Sequence, residues 1–235
     1  MENPLALIKP NREKALMLTQ REVSVFVMDA VAIEGIYFTL PEIQTLLQDI
    51  SVGGYKLSDQ QIAVNQGEAW RYLFSAIKNN QFSVSKIFTA ELYAIASKHT
   101  FAAQQQGFKT GQFRNLGVSI AGSHCEPPPA EQLDELFIQM LNEFHRYSDI
   151  YDQAIYVFLT MARYKFFSSL NRCIGKLMMN GILLEAGFPA ISVSATRKSE
   201  FTQLMLAFYE SGDPTDMNRF MRSCLDHRWI QIMQE

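Results

Sequence analysis

The chain has 235 residues, of which 48% are hydrophobic and 19% charged, with a formal net charge of −3. That length suits one large domain, and a charge share below the roughly 25% usual for globular proteins leaves apolar surface for a partner or an oligomer. The negative balance argues against bulk attraction to nucleic acid, which needs a basic face.

Cys125, Cys173 and Cys224 are widely spaced and form no CxxC, so free thiols in a reducing compartment fit better than a disulfide framework. The opening "MENPLALIKPNREKALMLTQ" lacks a basic start followed by a long apolar run, so no secretory signal is expected. The longest apolar stretches stop short of the ~20 residues a membrane span needs. The expectation is a soluble, cytoplasmic protein.

In chain order, periodicity is helical almost throughout. "REVSVFVMDAVAIEG" sets Val23, Phe26, Val27, Ala30 and Ile33 on one helix face, with Gly35 as its stop. Thr39 is placed to cap the next helix, with Pro41 and Glu42 in its first turn. "SVGGYKLSDQQ" reads as a loop, a helix follows from about Ile62 to Lys78, and Ser83 is expected to cap "SVSKIFTAELYAIASKH". The pattern breaks once, at "GFKTGQFRNLGVSIAGSHCEPPPAEQ", where Val118 and Ile120 alternate with small residues as in a short β-hairpin or extended flap. Pro127, Pro128 and Pro129 end that excursion and launch a helix over "AEQLDELFIQMLNEFHRY". A central helix, "SDIYDQAIYVFLTMARYKFF", leads into the loop "SSLNRCIGK". Then come the apolar helix "GKLMMNGILLEA", stopped by Gly187 and Pro189, and two further helical runs. The expected fold is all-α with one small β-hairpin.

Three separated segments then carry a resemblance. "KFFSSLNRCIGK" (165–176) with "LMMNGILLEAGFP" after it is similar to the motif H-P-F-x-D/E-G-N-G-R-x-G-R, its apolar helix and its stop. "TGQFRNLGVSIAGSHCEPPP" resembles a flap of the form G-x-Y-R…V-x-I closed by prolines, and "AVAIEGIYFTLPEIQTLL" resembles an S/T-x-x-x-E-G/N helix. In this order they resemble the Fic (Fido) family, whose members transfer AMP or related phosphate-containing groups to protein hydroxyls. The resemblance implies a helical bundle with a β-hairpin flap. It divides the chain into an N-terminal helical segment over 1–60, bearing an inhibitory-type helix, and a Fic-like core over 61–235.

The departures fall on the chemistry. The family's catalytic histidine, a general base, falls on Lys165, and its metal-holding acid falls on Ser169. Two motif glycines fall on Leu170 and Arg172, and an arginine falls on Cys173. A phosphate loop needs close backbone approach and φ > 0, which Leu170 is expected to resist. Lys165 is a cation near neutral pH unless strongly desolvated, and a cation accepts no proton. Base and metal ligand are both missing, so no catalytic residue and no metal ligand are assigned.

What the resemblance leaves is a set of binding positions. Asn171, Arg172, Gly175 and Lys176 are the candidates for phosphate, with ATP or another nucleotide, with Mg²⁺, as the implied ligand; Asn171 reads more readily as a helix cap alone. Glu34 is the candidate inhibitory carboxylate, with Lys176 as its expected partner. Cys173 reads as a reactive thiol at a helix N-terminus or as a small buried residue. Gly111, Arg114, Val118 and Ile120 form the flap, where a protein partner would dock by strand addition, or which simply packs on the core. The leading expectation is an impaired Fic protein acting through partner or nucleotide binding. A divergent transferase with His124 as replacement base, and an oligomer-forming regulator, are the other readings.

Overall fold

The computed structural model describes residues 8–100 and 112–235. Among them lie the helices α1 (Arg12–Arg21), α2 (Val23–Ile33), α3 (Leu40–Leu46), α4 (Leu57–Lys78), α5 (Lys86–Ser97) and α6 (Leu133–Phe144). They continue as α7 (Ile150–Tyr164), α8 (Asn171–Glu185), α9 (Lys198–Ser211), α10 (Thr215–Ser223) and α11 (His227–Gln234). None of these helices is long and apolar enough to cross a membrane.

The all-α expectation is met; the β-hairpin is not shown, and the first part of its segment, 107–111, lies outside the described residues. No strand is present among the described residues, and 112–129 has no regular secondary structure, with a bend at Leu116 and a turn at 121–122. The alternation of Val118 and Ile120 does bury Ile120 and leave its neighbours exposed. Among the described residues no second strand pairs with it, and alternation alone does not make a ladder.

Helix ends follow local chemistry. Thr39 and Glu42 close a capping box, the Thr39 backbone N–H donating to Glu42 Oε2 at 2.7 Å. The cap of α5 is Ser85 rather than Ser83. Ser85 Oγ accepts from Phe88 N at 3.2 Å, and the Ser83 hydroxyl is spent on Ser85 at 2.9 Å. α4 begins at Leu57, earlier than its apolar periodicity suggests, with Asp59 favouring the first turn.

The core sits around the α7–α8 hairpin. Phe158, Phe166, Ile174, Met178, Met179, Leu183 and Leu184 are fully buried there. Gly175 lets the two helices approach, because a Cβ on it would lie 3.0 Å from the Phe158 carbonyl oxygen. α1 is tied to the far end of α8, where Asn11 N donates to the Gly187 carbonyl at 2.8 Å. Gly187 has φ +84°, and a Cβ there would meet Asn11 N at 2.8 Å. Gly187→Ala therefore combines left-handed strain with a backbone clash, and a loss of about 1–3 kcal/mol is expected; chemical denaturation of the two proteins checks it.

Candidate functional site

The loop between α7 and α8 is shorter than the sequence suggests. α8 starts at Asn171, so Asn171, Arg172, Gly175 and Lys176 all ride on its first turns, and only 165–170 is non-helical. Both loop ends are left-handed, at Lys165 (φ 55°) and Leu170 (φ 57°). The expectation that Leu170 resists φ > 0 is thus corrected: it adopts the backbone a motif glycine would take, at a cost of about 1–2 kcal/mol.

Asn171 holds that conformation. Its Oδ1 accepts from Phe167 N at 2.9 Å, and its Nδ2 donates to the carbonyls of Phe167 at 2.6 Å and Ser169 at 3.3 Å. The side chain is buried, so its amide is spent on the loop backbone rather than held out to a ligand. Phe167 in turn stacks on Tyr93, with ring centroids 4.3 Å apart and planes 7° apart. The Tyr93 hydroxyl reaches Ser168 Oγ at 3.0 Å and Ser169 Oγ at 3.3 Å.

Around this frame the side chains are cationic. Lys165 is half-buried; burial, then the nearby Arg172 charge, lower its pKa to about 8, against a weaker upward pull from Glu34. Arg172 donates to Glu34 Oε2 at 2.7 Å, joining the end of α2 to the start of α8. The expected Glu34–Lys176 pair is not the one formed. Lys176, one turn deeper, makes no hydrogen bond or ion pair among the described residues, and burial pushes its pKa down. It opens instead on a small cavity of about 30 Å³ beside Gln66 and Asn180.

Cys173 is buried, accepts from Gln66 Nε2 at 2.8 Å, and has its pKa pushed up to about 11 by burial. It is packing, not a thiolate.

The extended segment clamps the loop. Arg114 donates from Nε to the Lys165 carbonyl (2.6 Å), from Nη1 to Leu116 O (2.8 Å) and from Nη2 to Pro128 O (2.5 Å). Its backbone N–H donates to Phe166 O at 2.9 Å. Its guanidinium is therefore consumed within the chain. Val118 is half-buried, Ile120 is buried, and Gly111 lies outside the described residues. His124 is exposed; its backbone N–H donates to Glu210 Oε1 at 2.7 Å, and no hydrogen bond links its ring to the loop.

No protein-family model matches the chain. Among curated proteins, it is 24% identical over 202 residues to the protein adenylyltransferase Fic of Drosophila persimilis, covering 84% of this chain and 38% of that protein. It is 22% identical over 222 residues to the protein of the same name from Aedes aegypti, covering 90% and 42%. These likenesses support a Fic family assignment for the chain. It spans about two fifths of the length of these relatives.

Solved structures agree on the Fic fold. Fic-1 (residues 134–508) from C. elegans superposes with a TM-score of 0.75 at 16% identity, covering 93% of this chain and 64% of that one. A Fic domain containing signaling protein from Bacteroides thetaiotaomicron gives 0.73 at 16% identity, covering 98% and 93%.

The metal implied by the Fic motif does not fit this donor set. On the residue match that the resemblance implies, the acidic position would offer only the neutral Ser169 hydroxyl; Lys165 and Arg172 are cations nearby, and the carboxylate of Glu34 is already bonded to Arg172. These groups suit an anion instead.

Sequence reasoning missed Tyr93, Gln66, Arg114's clamp and Tyr209. The Tyr209 hydroxyl is buried without a hydrogen-bond partner, its pKa is pushed up to about 12 chiefly by burial, and Arg172 and Glu34 are the strongest charges on it. All four contacts are long-range and leave no local pattern. One outcome is specific to this site: Lys165 titrates with a midpoint of about 8, well below an ordinary lysine. Nitrogen-detected NMR of the Lys165 amine measures it.

Proposed function

We propose that this Fic domain is catalytically impaired and works as a binding module for nucleotide phosphates, with Glu34 as the resident competitor. The observation that carries the reading is the Arg172–Glu34 bond at the start of α8, in a loop where Lys165 stands at the motif's base position. A helix N-terminus with Arg172 and Lys165 beside it attracts phosphate, and it does so without a divalent cation. Relatives named protein adenylyltransferase suggest a nucleotide as the source of that phosphate.

Magnitudes favour displacement. A partly exposed ion pair such as Arg172–Glu34 contributes about 0.2–1 kcal/mol, so a polyphosphate can take its place. The flap extends the reading to a protein partner: Leu116 is 65% exposed, and the chain around it is in no regular secondary structure, so its backbone is open to strand addition.

Calorimetry with ATP, with and without Mg²⁺, tests the module. Binding is expected to persist without Mg²⁺, to tighten up to about fivefold in Glu34→Ala, and to weaken as pH rises through about 8. The sign follows from Lys165, which is a cation below that pH and neutral above it. Binding that requires Mg²⁺, or that Glu34→Ala leaves unchanged, contradicts the reading.

One observation favours a second reading, a divergent transferase. Above about pH 8 the neutral Lys165 amine can accept a proton from a target hydroxyl, which would then form the new P–O bond as pyrophosphate leaves the nucleotide. Transfer would then rise with pH through that value and vanish in Lys165→Arg, whose guanidinium stays charged. A flat pH profile removes this reading.

A further inference from the structure

Away from the loop, α6, α7, α9 and the start of α10 enclose a cleft of about 310 Å³. That is at the small end of the range that holds organic ligands, roughly 300–1,000 Å³. α7 forms one wall with Ile155, Tyr156, Leu159, Thr160 and Arg163, which share a face at helical spacing. Phe208 of α9 forms another. Tyr147 and Tyr156 stand with ring centroids 5.2 Å apart, and burial raises the pKa of both, as expected of a poorly hydrated site.

The charges of the cleft are unevenly satisfied. Asp152 accepts from Arg222 Nη2 at 2.6 Å and from Asn218 Nδ2 at 2.8 Å, and Glu143 accepts from Arg146 Nη1 at 2.8 Å. Arg163 has neither a hydrogen bond nor an ion pair among the described residues. Its guanidinium packs close to Gly212 and lies 5.9 Å from the Phe208 ring centroid. Arg163 is half-buried, its five donors meet no protein acceptor among the described residues, and a carboxylate would answer its fork with two hydrogen bonds. A polyanion is disfavoured, because Glu143 and Asp152 sit in the same cleft and Arg163 lies at the negative C-terminal end of α7.

We propose that this cleft binds a small aromatic carboxylate, its acid group on Arg163 and its ring between Phe208 and the Tyr147–Tyr156 pair. The apolar walls select the ring and the single unpaired cation selects one negative charge. The site is separate from the 165–176 loop and does not depend on nucleotide binding there.

Ligand-observed NMR on the full chain tests this with benzoate, phenylacetate and indole-3-acetate, each beside its primary amide. At least one acid is expected to bind saturably, about tenfold or more tighter than its amide, because only the acid gains the charge-assisted pair. Arg163→Gln is expected to remove that preference, and ATP is expected not to compete. The acid–amide comparison on the unaltered protein stands even where the variant fails to fold. Equal binding of acid and amide, no saturable binding by any acid, or displacement by ATP overturns the proposal.

Discussion

The Asn171 side chain closes the structure on which the site depends. One buried amide satisfies Phe167 on both its N–H and its carbonyl and reaches Ser169 as well. Those bonds keep a tight loop between two helices that share the core, and they hold Leu170 in a backbone region where a side chain is unfavourable. Loss of the amide would leave buried backbone groups unpaired, which costs about 1–3 kcal/mol per group. The stacking of Phe167 on Tyr93 and the insertion of Phe166 both follow from where that knot sets the loop.

Arg114 reinforces the same knot from outside. It spends its guanidinium on the carbonyls of Lys165, Leu116 and Pro128, so the extended segment and the loop behave as one unit. Within that unit the Fic scaffold survives while the electrostatics differ from the motif. The loop carries Lys165, Ser169 and Arg172, and its local charge is positive except for Glu34. Positive charge of this kind favours anions nearby.

Much of the fold was legible because its signals are local. The 3.6-residue periodicity, the Thr39–Glu42 capping box and the Gly187 stop each depend on residues a few positions apart. Alternation at Val118 and Ile120 reports one buried side and not a pairing partner, and no strand forms there among the described residues. Glu34's partner was misassigned for a geometric reason. Arg172 and Lys176 are one turn apart on α8, but Arg172 lies at the rim and Lys176 points inward near Asp29, so only the outer one meets the end of α2. Leu170's conformation was missed because its compensation comes from Asn171 folding back, which residue preferences do not encode.

The account turns on whether the rebuilt loop still moves a nucleotide to protein. The most direct measurement is mass-spectrometric detection of nucleotidyl groups on candidate target proteins and on the chain itself. It would use the Glu34→Ala form with ATP and Mg²⁺ near neutral pH, where Lys165 is mostly protonated. Bound nucleotide with no covalent adduct is the predicted result. An adduct that disappears when Lys165 is replaced by alanine would contradict the account.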